Sequence, residues 1–452
     1  MAWFILSIMI ASPGYGLTAY TNKELDELEK EFRQQINQSS LVIREPLAVQ
    51  YINHLGKRLF KDQDGKPPYF FIVQSNEINA FAGPGGLIGI NTSLILTTES
   101  ESELASVMAH EMAHVEQHHL YAMLEHQKQM RIPMLASMLA SLALGVLNPV
   151  LGEGAMMASL TGLTQDRINF VRANEKEADR IGINYLIKAN INPQGMIRFF
   201  KKMQENSRYY YTDNIPAILR THPLDEDRIA EAENRAGTTK GKKFSTDFNY
   251  FYFRELIRVL STEDKFRLSK YYAKSCQPKM ACDYGQALLA TKQRQFEQAM
   301  KQLTKLDEQT PDNIFIQLAL AESEQNSKDK HYGLTLMKTL YEDYPDNYAV
   351  IAAYAKQLML QNNAKEATSV LVSGQRQFPQ DVALCYLLAR AENQNKRLSY
   401  AYFTQAQCFL LEGRHRDAYF QLKEANKYDK SDSYIHLRIN ALIGEIKLLE
   451  ST

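Results

Sequence analysis

The stretch TTESESELASVMAHEMAHVEQHH, residues 97–119, decides how the first half of this 452-residue chain is organised. It opens with hydroxyl residues, places acids where a first helical turn would be, and then repeats apolar residues at helical spacing. This order predicts a helix with a capped N-terminus. Within the helix, His110, Glu111 and His114 form the pattern H-E-x-x-H.

The H-E-x-x-H pattern predicts a metal site. Residues i and i+4 lie on one face of a helix, so the imidazoles of His110 and His114 can bind a single Zn²⁺ ion. Glu111 lies beside the first ligand and can act as general base toward an attacking water. Three fixed residues are a modest signal, and the rest of the site must come from elsewhere in the chain.

A catalytic zinc ion takes three protein ligands and keeps one position open. The metzincin class would place a histidine ten residues after His110, but a leucine stands there, which excludes that class. The amphipathic segment NEKEADRIGINYL, residues 174–186, offers a carboxylate instead. Glu175 is the predicted third ligand, with Asp179 hydrogen-bonding a zinc histidine one turn later. Glu177 is the competing ligand and faces about 160° away from Glu175.

Two further histidines, His118 and His119, follow the pattern. On a straight helix His118 lies about 12 Å from His110, too far to share one ion. We expect both, like Glu116, to be solvated or hydrogen-bonded helix side chains without a part in the chemistry.

A short sheet is predicted ahead of this helix. Residues 69–74 and 87–95 are two β-rich runs separated by Ala- and Gly-rich turn sequence. Residues 22–37 before them are charged and helical in pattern. The first half of the chain is therefore expected to be of the α+β class.

The order HEMAH, NEKEAD and THPLDEDRI, the last at residues 221–229, resembles the M48 family of zinc metallopeptidases. The resemblance covers roughly residues 23–235 and is specific because three motifs occur in order. It implies a mainly helical zincin-type domain with a small β-sheet, here taken as residues 17–235. It also implies a set of site residues, with zinc ligands His110, His114 and Glu175, general base Glu111, and Asp179 outside the ligand shell.

The third motif of the family, HPxxxxR, is matched by His222 and Arg228. We expect His222 either to stabilise the oxyanion of the tetrahedral intermediate or to fill the fourth zinc position in a latent state. A helix-capping role beside Pro223 is the alternative. Arg228 is expected to pair with the substrate backbone or with Asp179.

The resemblance further implies that residues 79–95 supply an active-site edge strand. Such a strand binds an extended substrate by β-augmentation, through its open backbone groups. The predicted substrate-binding residues are Gly86, Leu87, Ile88, Gly89 and Ile90.

A repeat follows a Gly-, Lys- and Thr-rich linker at residues 236–247. Three positions recur in phase at a spacing of 34 residues, namely Pro311, Pro345 and Pro379, then Ala299, Gly333 and Ala367, then Leu303, Met337 and Leu371. This period, with a small residue, a large apolar residue and a helix-ending proline, is typical of tetratricopeptide repeats. Residues 248–452 are therefore predicted to form an all-α solenoid.

Residues 1–16 are predicted to be a signal peptide. Residues 2–12 are apolar and too short to span a bilayer, and a small-x-small site follows at Gly14–Gly16. No basic residue precedes this stretch, the first being Lys23, so an uncleaved buried segment is the alternative. Lys+Arg and Asp+Glu number 52 each, a balance that argues against nucleic-acid binding.

Residues 133–163 are the most apolar part of the chain beyond the leader, with Glu153 as the single charge. A buried helical pair is one interpretation, and a surface that touches a membrane or closes over the active site is the other. In integral-membrane relatives the corresponding interval spans the bilayer. Here it is too short, and the comparison favours a hairpin in peripheral contact with the outer membrane.

Four cysteines are present, Cys276, Cys282, Cys385 and Cys408. An even number in an exported chain permits disulfides, and Cys276 and Cys282 are spaced to close a small loop. Cys385 and Cys408 lie in apolar helical sequence, where buried thiols are as well supported.

With the export signal and the repeats, the chain is similar to periplasmic M48 peptidases of Gram-negative bacteria. The resemblance implies an endopeptidase that cleaves misfolded or stalled outer-membrane proteins. Its tetratricopeptide domain would dock on the outer-membrane assembly machinery or on substrate. The alternative is a chaperone or scaffold with a silent site, which the repeats and a histidine able to fill the open zinc position support.

Overall fold

The structure is a computed structural model that describes residues 21–61, 63, 65–124, 132–143, 165–209, 215–325, 331–429 and 433–451. The predicted signal peptide, residues 1–16, lies outside the described residues. Among the described residues, no helix combines the length and the apolar character needed to cross a bilayer.

The first part of the chain alternates helices with short strands. Its elements are α1 (Asn22–Gln38), β1 (Val42–Ile43), α2 (Pro46–Leu59), β2 (Tyr69–Val73), β3 (Ala80–Ala82), a 3-10 turn (Pro84–Gly86) and β4 (Leu87–Asn91). Thr21 begins α1 with a capping box, in which its hydroxyl accepts from the Glu24 N–H and the Glu24 carboxylate accepts from the Thr21 N–H. The charged segment at residues 22–37 is thus a helix, as predicted.

The four strands form one sheet in the order β1–β2–β4–β3. β4 pairs in parallel with β2 along its length and antiparallel with β3 on its other side. The prediction that residues 79–95 supply an edge strand agrees with this order, but the predicted substrate-binding segment Gly86–Ile90 is not at that edge. Ile88, Gly89 and Ile90 have strand partners on both sides. Leu87 pairs with Tyr69 of β2, and Gly86 lies in the turn before β4. The edge strand is β3, earlier in the same run of residues 79–95.

Helices complete the first part of the chain. They are α3 (Thr92–Thr97), α4 (Glu101–Glu116), α5 (His119–Leu124), α6 (Ile132–Ala143), α7 (Gln165–Lys188), α8 (Gln194–Tyr209), α9 (Ala217–Thr221) and α10 (Glu226–Gly237). Ser100 caps α4 by accepting a hydrogen bond from the Glu103 N–H, as the hydroxyl and acid pattern predicts. Residues 92–95 belong to α3 and do not continue the β-rich run.

The described half of the apolar interval, α6, packs inside the molecule. Leu135, Ala136 and Leu139 are buried in one cluster with Leu28 and Phe32 of α1. This half agrees with the interpretation as a buried helix. Residues 144–163, on which the membrane-contact interpretation also depends, lie outside the described residues.

The second part of the described chain is all helical. Its helices are α11 (Asn249–Ser261), α12 (Lys265–Lys274), α13 (Lys279–Lys292), α14 (Phe296–Gln309), α15 (Ile314–Gln325), α16 (His331–Asp343), α17 (Tyr348–Leu360), α18 (Ala364–Gln377), α19 (Val382–Gln394), α20 (Leu398–Leu411), α21 (His415–Tyr428) and α22 (Ser433–Ser451). From α13 onward each helix packs extensively on its neighbour in the chain. The observed class is therefore a mainly helical α+β part followed by an all-α part, as predicted.

The 34-residue period is visible in the backbone as well as in the sequence. Arg294, Asn362 and Lys396 all have positive φ angles, of 63°, 59° and 59°. Each of the three residues lies in the turn before a helix, and the helices that follow them are α14, α18 and α20. A left-handed residue at this phase reverses the chain between successive helices. The small positions of the repeat, Ala299 and Ala367, are fully buried where helices cross.

The second part contacts the first at α1, α2 and α3, where the Tyr250 hydroxyl donates to the Thr98 carbonyl at 2.7 Å. At α2, the Tyr51 ring stacks on Phe253 with centroids 4.5 Å apart, and the Gln50 side chain accepts a hydrogen bond from the Tyr348 N–H at 3.2 Å. At α1, the Asn37 amide donates to the Leu411 carbonyl at 2.9 Å. The helical part therefore reaches from α2 to α1 around the sheet.

Two disulfides close within the helical part, Cys276–Cys282 and Cys385–Cys408. The first agrees with the loop expected from the spacing. For Cys385 and Cys408 the sequence left open whether they are buried thiols or a disulfide. They form a buried disulfide that joins α19 to α20.

Loss of the Cys385–Cys408 disulfide is expected to destabilise the protein by about 3 kcal/mol, because it closes the longer loop of the unfolded chain. Cys385→Ala combined with Cys408→Ala tests this by urea unfolding under non-reducing conditions. The matched control combines Cys276→Ala with Cys282→Ala, where the separation is 6 residues against 23 and the expected loss is about 1 kcal/mol smaller. Equal midpoints for wild type and the first variant would contradict the expectation.

Candidate metal centre

The site forms where α4 crosses α7. α4 carries both histidines of the H-E-x-x-H pattern, and α7 carries Glu175 and Asp179. Gly182 on α7 lies against the backbone of His110, where an added Cβ would come within 3.2 Å of the His110 nitrogen. The absence of a side chain at Gly182 therefore allows the close crossing that brings the two helices' functional groups together.

Four side chains converge on one point, and their ligand atoms all lie within 4.8 Å of one another. They are His110, His114, Glu175 and His222. His110 Nε2 is 3.0 Å from His114 Nε2 and 3.3 Å from Glu175 Oε2, and His114 Nε2 is 3.4 Å from Glu175 Oε1. Ligands of a tetrahedral ion with bonds of about 2.0–2.1 Å lie about 3.3 Å apart. The donor set and its spacing fit a tetrahedral metal ion.

His222 enters this set from the turn after α9. Its Nδ1 is 3.3 Å from His110 Nε2 and 3.0 Å from Glu175 Oε1. Its Nε2 is 3.4 Å from Glu111 Oε1. The ring therefore offers a fourth ligand atom through Nδ1 while its Nε2 contacts the Glu111 carboxylate.

Glu111 is fully buried, and neither of its carboxylate oxygens has a hydrogen-bond partner among the described residues. An unpartnered buried carboxylate is costly and is retained where a cation or a reacting proton is close to it. Apolar side chains from α8, including Phe199 and Met203, line a small cavity beside it. The surroundings of Glu111 are therefore poorly solvated, which strengthens its electrostatic interactions.

Asp179 contacts the ring nitrogen of His110 that does not face the other ligand atoms, and Arg228 contacts Asp179. His110 Nδ1 is 2.9 Å from Asp179 Oδ1, and Arg228 donates to both oxygens of Asp179 at 2.7 and 2.8 Å. Arg228 also lies 2.9 Å from Glu175 and donates to the Pro223 carbonyl at 2.7 Å. Of the two roles expected for Arg228, the structure shows the contact with Asp179. Asp179 and Arg228 therefore contact His110 and Glu175 but are not among the four residues whose ligand atoms cluster.

Residues 46–236 match the sequence profile of Peptidase family M48. A protein of Vibrio cholerae serotype O1 named "Putative beta-barrel assembly-enhancing protease" is 33% identical over 362 residues, which cover 78% of this chain and 74% of that protein. This chain belongs to peptidase family M48.

Two more distant comparisons show how far the family resemblance extends. The "Beta-barrel assembly-enhancing protease" of Escherichia coli K12 is 30% identical over 423 residues, covering 92% of this chain and 86% of that protein. The "Metalloendopeptidase OMA1, mitochondrial" of Bos taurus is 27% identical over 166 residues, or 35% of this chain. The bacterial relatives therefore share both parts of the chain. Family membership and the clustered donor atoms together make this protein a metallopeptidase.

Burial and neighbouring charge compete at the M48 site. Burial lowers the pKa of His114 to about 4, against the hydrogen bond to Glu175. Burial also acts to lower the pKa of His110, but hydrogen bonds to Asp179 and Glu175 outweigh it and raise that pKa to about 10. Burial acts to raise the pKa of Glu175, yet the charge of His222 and hydrogen bonds from the histidines hold it well below its usual value. Burial and these hydrogen bonds therefore act in opposite directions on each of the three groups.

His119 is a hydrogen-bonded helix histidine, as expected, but its hydrogen-bond partner is His114 of the site. α4 ends at Glu116, and His118 adopts a positive φ of 54°, so the helix is not straight. The turn brings His119 back beneath the site, where its Nδ1 lies 2.9 Å from Nδ1 of His114. A histidine nine residues after His110 was visible in the sequence, but the kink that makes it a neighbour of His114 was not.

Proposed function

We propose that this protein is a zinc-dependent endopeptidase that acts in the periplasm on misfolded or stalled outer-membrane proteins. One observation carries the catalytic part of the proposal. Two imidazoles and one carboxylate converge at tetrahedral spacing beside Glu111, whose buried oxygens have no hydrogen-bond partner among the described residues. Two histidines and one glutamate form a common ligand set of catalytic zinc.

His110, His114 and Glu175 would hold the ion, which when bound would polarise the scissile carbonyl and acidify a water molecule. Glu111 accepts the proton of the attacking water on one carboxylate oxygen. The same carboxyl group then delivers that proton to the leaving amine as the peptide bond breaks. Asp179 and Arg228 keep the Nδ1 proton of His110 in place, which fixes the ring for ligation through Nε2.

An extended substrate would add to the sheet at β3. β3 pairs with β4 alone among the described strands, and it packs beside α4, the helix that carries His110 and His114. Backbone pairing at such an edge gives affinity without strict sequence preference. This suits an enzyme that acts on unfolded segments of many related chains.

The export and docking parts of the proposal draw on other features. Relatives named for beta-barrel assembly match this chain over most of its length. The two disulfides are typical of a protein from an oxidising compartment, such as the periplasm of a Gram-negative bacterium. The predicted signal peptide would direct the chain to that compartment. The 34-residue period supports a tetratricopeptide solenoid, whose concave surface would dock on the assembly machinery or on substrate.

The proposal is tested by metal analysis and proteolysis on the full chain. We expect about one zinc ion per chain, cleavage of an unfolded outer-membrane β-barrel protein, loss of cleavage on chelation and recovery with Zn²⁺. A chain that binds no zinc at micromolar concentration, or that cleaves equally well after chelation, would contradict it. A purified periplasmic fraction tests the location.

We further propose that His222 keeps the resting enzyme latent by filling the fourth ligand position. His222→Ala is expected to raise the cleavage rate about tenfold, as removal of a closed state favoured by about 1.4 kcal/mol would do. Thr221→Ala is the matched control, because its hydroxyl bonds only to the turn of its own short helix among the described residues. An inactive His222→Ala enzyme that still binds zinc would support oxyanion stabilisation instead.

A second candidate function is a chaperone or scaffold for outer-membrane protein assembly with a largely latent protease site. The position of His222 between the ligand set and Glu111 favours it. Under this alternative the helical part supplies the activity in the cell. The peptidase part cleaves only when a misfolded or stalled substrate displaces His222. A variant without the general base separates the two functions.

A further inference from the structure

We propose that His119 is a positioning residue that fixes the tautomer and the orientation of the metal ligand His114. The proposal rests on the metal site of the proposed function and adds a partner for its second histidine. His119 is buried, with 8% of its surface exposed, and contacts the ring nitrogen of His114 that faces away from the other ligands.

The two nitrogens of His114 face different groups. Nε2 points at the ligand atoms of His110 and Glu175, whereas Nδ1 lies 2.9 Å from Nδ1 of His119. A nitrogen that holds a metal ion carries no proton, so the proton of His114 must be on Nδ1. His114 therefore donates this hydrogen bond, and His119 Nδ1 accepts it.

The same reasoning fixes His119. With its Nδ1 accepting, the proton of its neutral ring is on Nε2, which faces Glu177 Oε2 at 3.7 Å. Glu177 in turn lies 3.1 Å from Arg180 at the surface of α7. The carboxylate thus favours the tautomer that lets His119 accept from His114. Glu177, which the sequence offered as a competing ligand, lies behind the site and supports it indirectly.

The backbone is shaped to place His119. After α4 the chain turns at His118, whose N–H donates to the Val115 carbonyl at 3.1 Å and whose φ is 54°. A left-handed conformation is disfavoured for a residue with a Cβ. It is retained here where it brings a side chain from α5 into contact with a ligand on α4.

The two ligand histidines consequently have different partners. His110 is held by Asp179, a carboxylate that is itself neutralised by Arg228. His114 is held by a neutral imidazole, which sets the ring without adding a second negative charge behind the site. Such outer partners affect metal affinity roughly 10- to 100-fold when they are removed.

The test compares three substitutions at residue 119 in the full-length protein. His119→Phe fills the space without an acceptor, His119→Gln places its amide beyond reach of His114, and His119→Asn places an oxygen near the position of Nδ1. We expect the first two to weaken zinc binding roughly 10- to 100-fold in chelator competition and to change the visible spectrum of the Co²⁺-substituted protein. We expect His119→Asn to restore both, with kcat recovering more than KM.

Several outcomes would overturn the proposal. The first is that His119→Phe and His119→Gln both keep the wild-type zinc affinity and Co²⁺ spectrum. The second is that His119→Asn fails to recover the zinc affinity and spectrum that the other two variants lose, which would indicate that His119 acts through packing alone. If His119→Phe does not fold, the Gln and Asn pair decides. His118→Asn is the matched control, since asparagine tolerates the left-handed backbone. Failure of the proposed function is distinguishable, because then wild type itself would bind neither Zn²⁺ nor Co²⁺.

Discussion

Glu111→Gln is expected to lower kcat/KM for an unfolded outer-membrane protein by about 10²- to 10⁴-fold, the usual contribution of a positioned general base. Glutamine has nearly the same shape as glutamate but cannot take the proton of the attacking water or return it to the leaving amine. Zinc content is expected to stay at the wild-type level, because the ligand atoms belong to His110, His114 and Glu175. The measurements are initial cleavage rates and metal content on the same preparation.

Glu116→Gln is the matched control, since Glu116 is the last residue of α4 and is exposed. It is expected to keep the wild-type rate. Glu111→Gln is also expected to melt no lower than wild type, because a buried charge without a hydrogen-bond partner gives way to a neutral amide. A Glu111→Gln enzyme that cleaves at more than about a tenth of the wild-type rate would remove Glu111 from the role of base.

The same variant separates the two candidate functions. If Glu111→Gln loses cleavage but still supports outer-membrane protein assembly in cells, the chaperone or scaffold function is favoured. If both are lost while folding and zinc content stay normal, proteolysis is the activity that the cell uses.

The local signals in the sequence predicted most of α4 correctly. A Thr/Ser cap, acids in the first turn and apolar spacing predicted a capped helix that carries His110 and His114, because these features depend on residues close together in the chain. The three motifs of the M48 resemblance also placed His110, Glu175 and His222, and the structure brings all three together. The pairings of Arg228 were left open, since the sequence alone does not say which carboxylate a buried cation meets.

Features that depend on long-range pairing were predicted less well. The sequence placed an edge strand within residues 79–95 but did not show that the edge is β3 and not β4, because strand order follows from packing between segments and not from composition. β3 is only three residues long and has no alternation from which to recognise it. The contact of His119 with His114 was not predicted, because a single left-handed residue, His118, changes the direction of the helix, and histidine carries no sequence signal for that conformation.

Arg228→Met is expected to destabilise the metal-free protein by about 3–5 kcal/mol, the usual effect of breaking a buried ion pair by removing one partner. Arg228 is 3% exposed, and its guanidinium contacts the buried carboxylates of Asp179 and Glu175. Methionine fills much of the space and can still pack on Phe200, over which the guanidinium lies at 5.2 Å. The expected loss therefore comes from two buried carboxylates that lose the guanidinium as a charge partner, and not from a cavity.

The pH dependence gives this expectation a second test. In the wild type, burial acts to raise the pKa of Asp179, but hydrogen bonds to His110 and Arg228 hold it below its usual value. Such a group adds stability above its unfolded pKa, about 3.9, and the contribution is lost as pH falls through the folded value. Without Arg228 the carboxylates protonate more readily, so the destabilisation should be largest near pH 7 and shrink toward pH 4.

Urea unfolding of chelator-treated protein at both pH values measures the effect, with Arg235→Met as the matched control on the same helix. Arg235 is 40% exposed and pairs with Glu231 one turn away, so its loss should cost less than about 0.5 kcal/mol. If Arg228→Met unfolds at the same urea concentration as Arg235→Met at pH 7, the buried pair does not stabilise the fold. A difference that grows toward pH 4 would mean that the charges left behind are not those of Asp179 and Glu175.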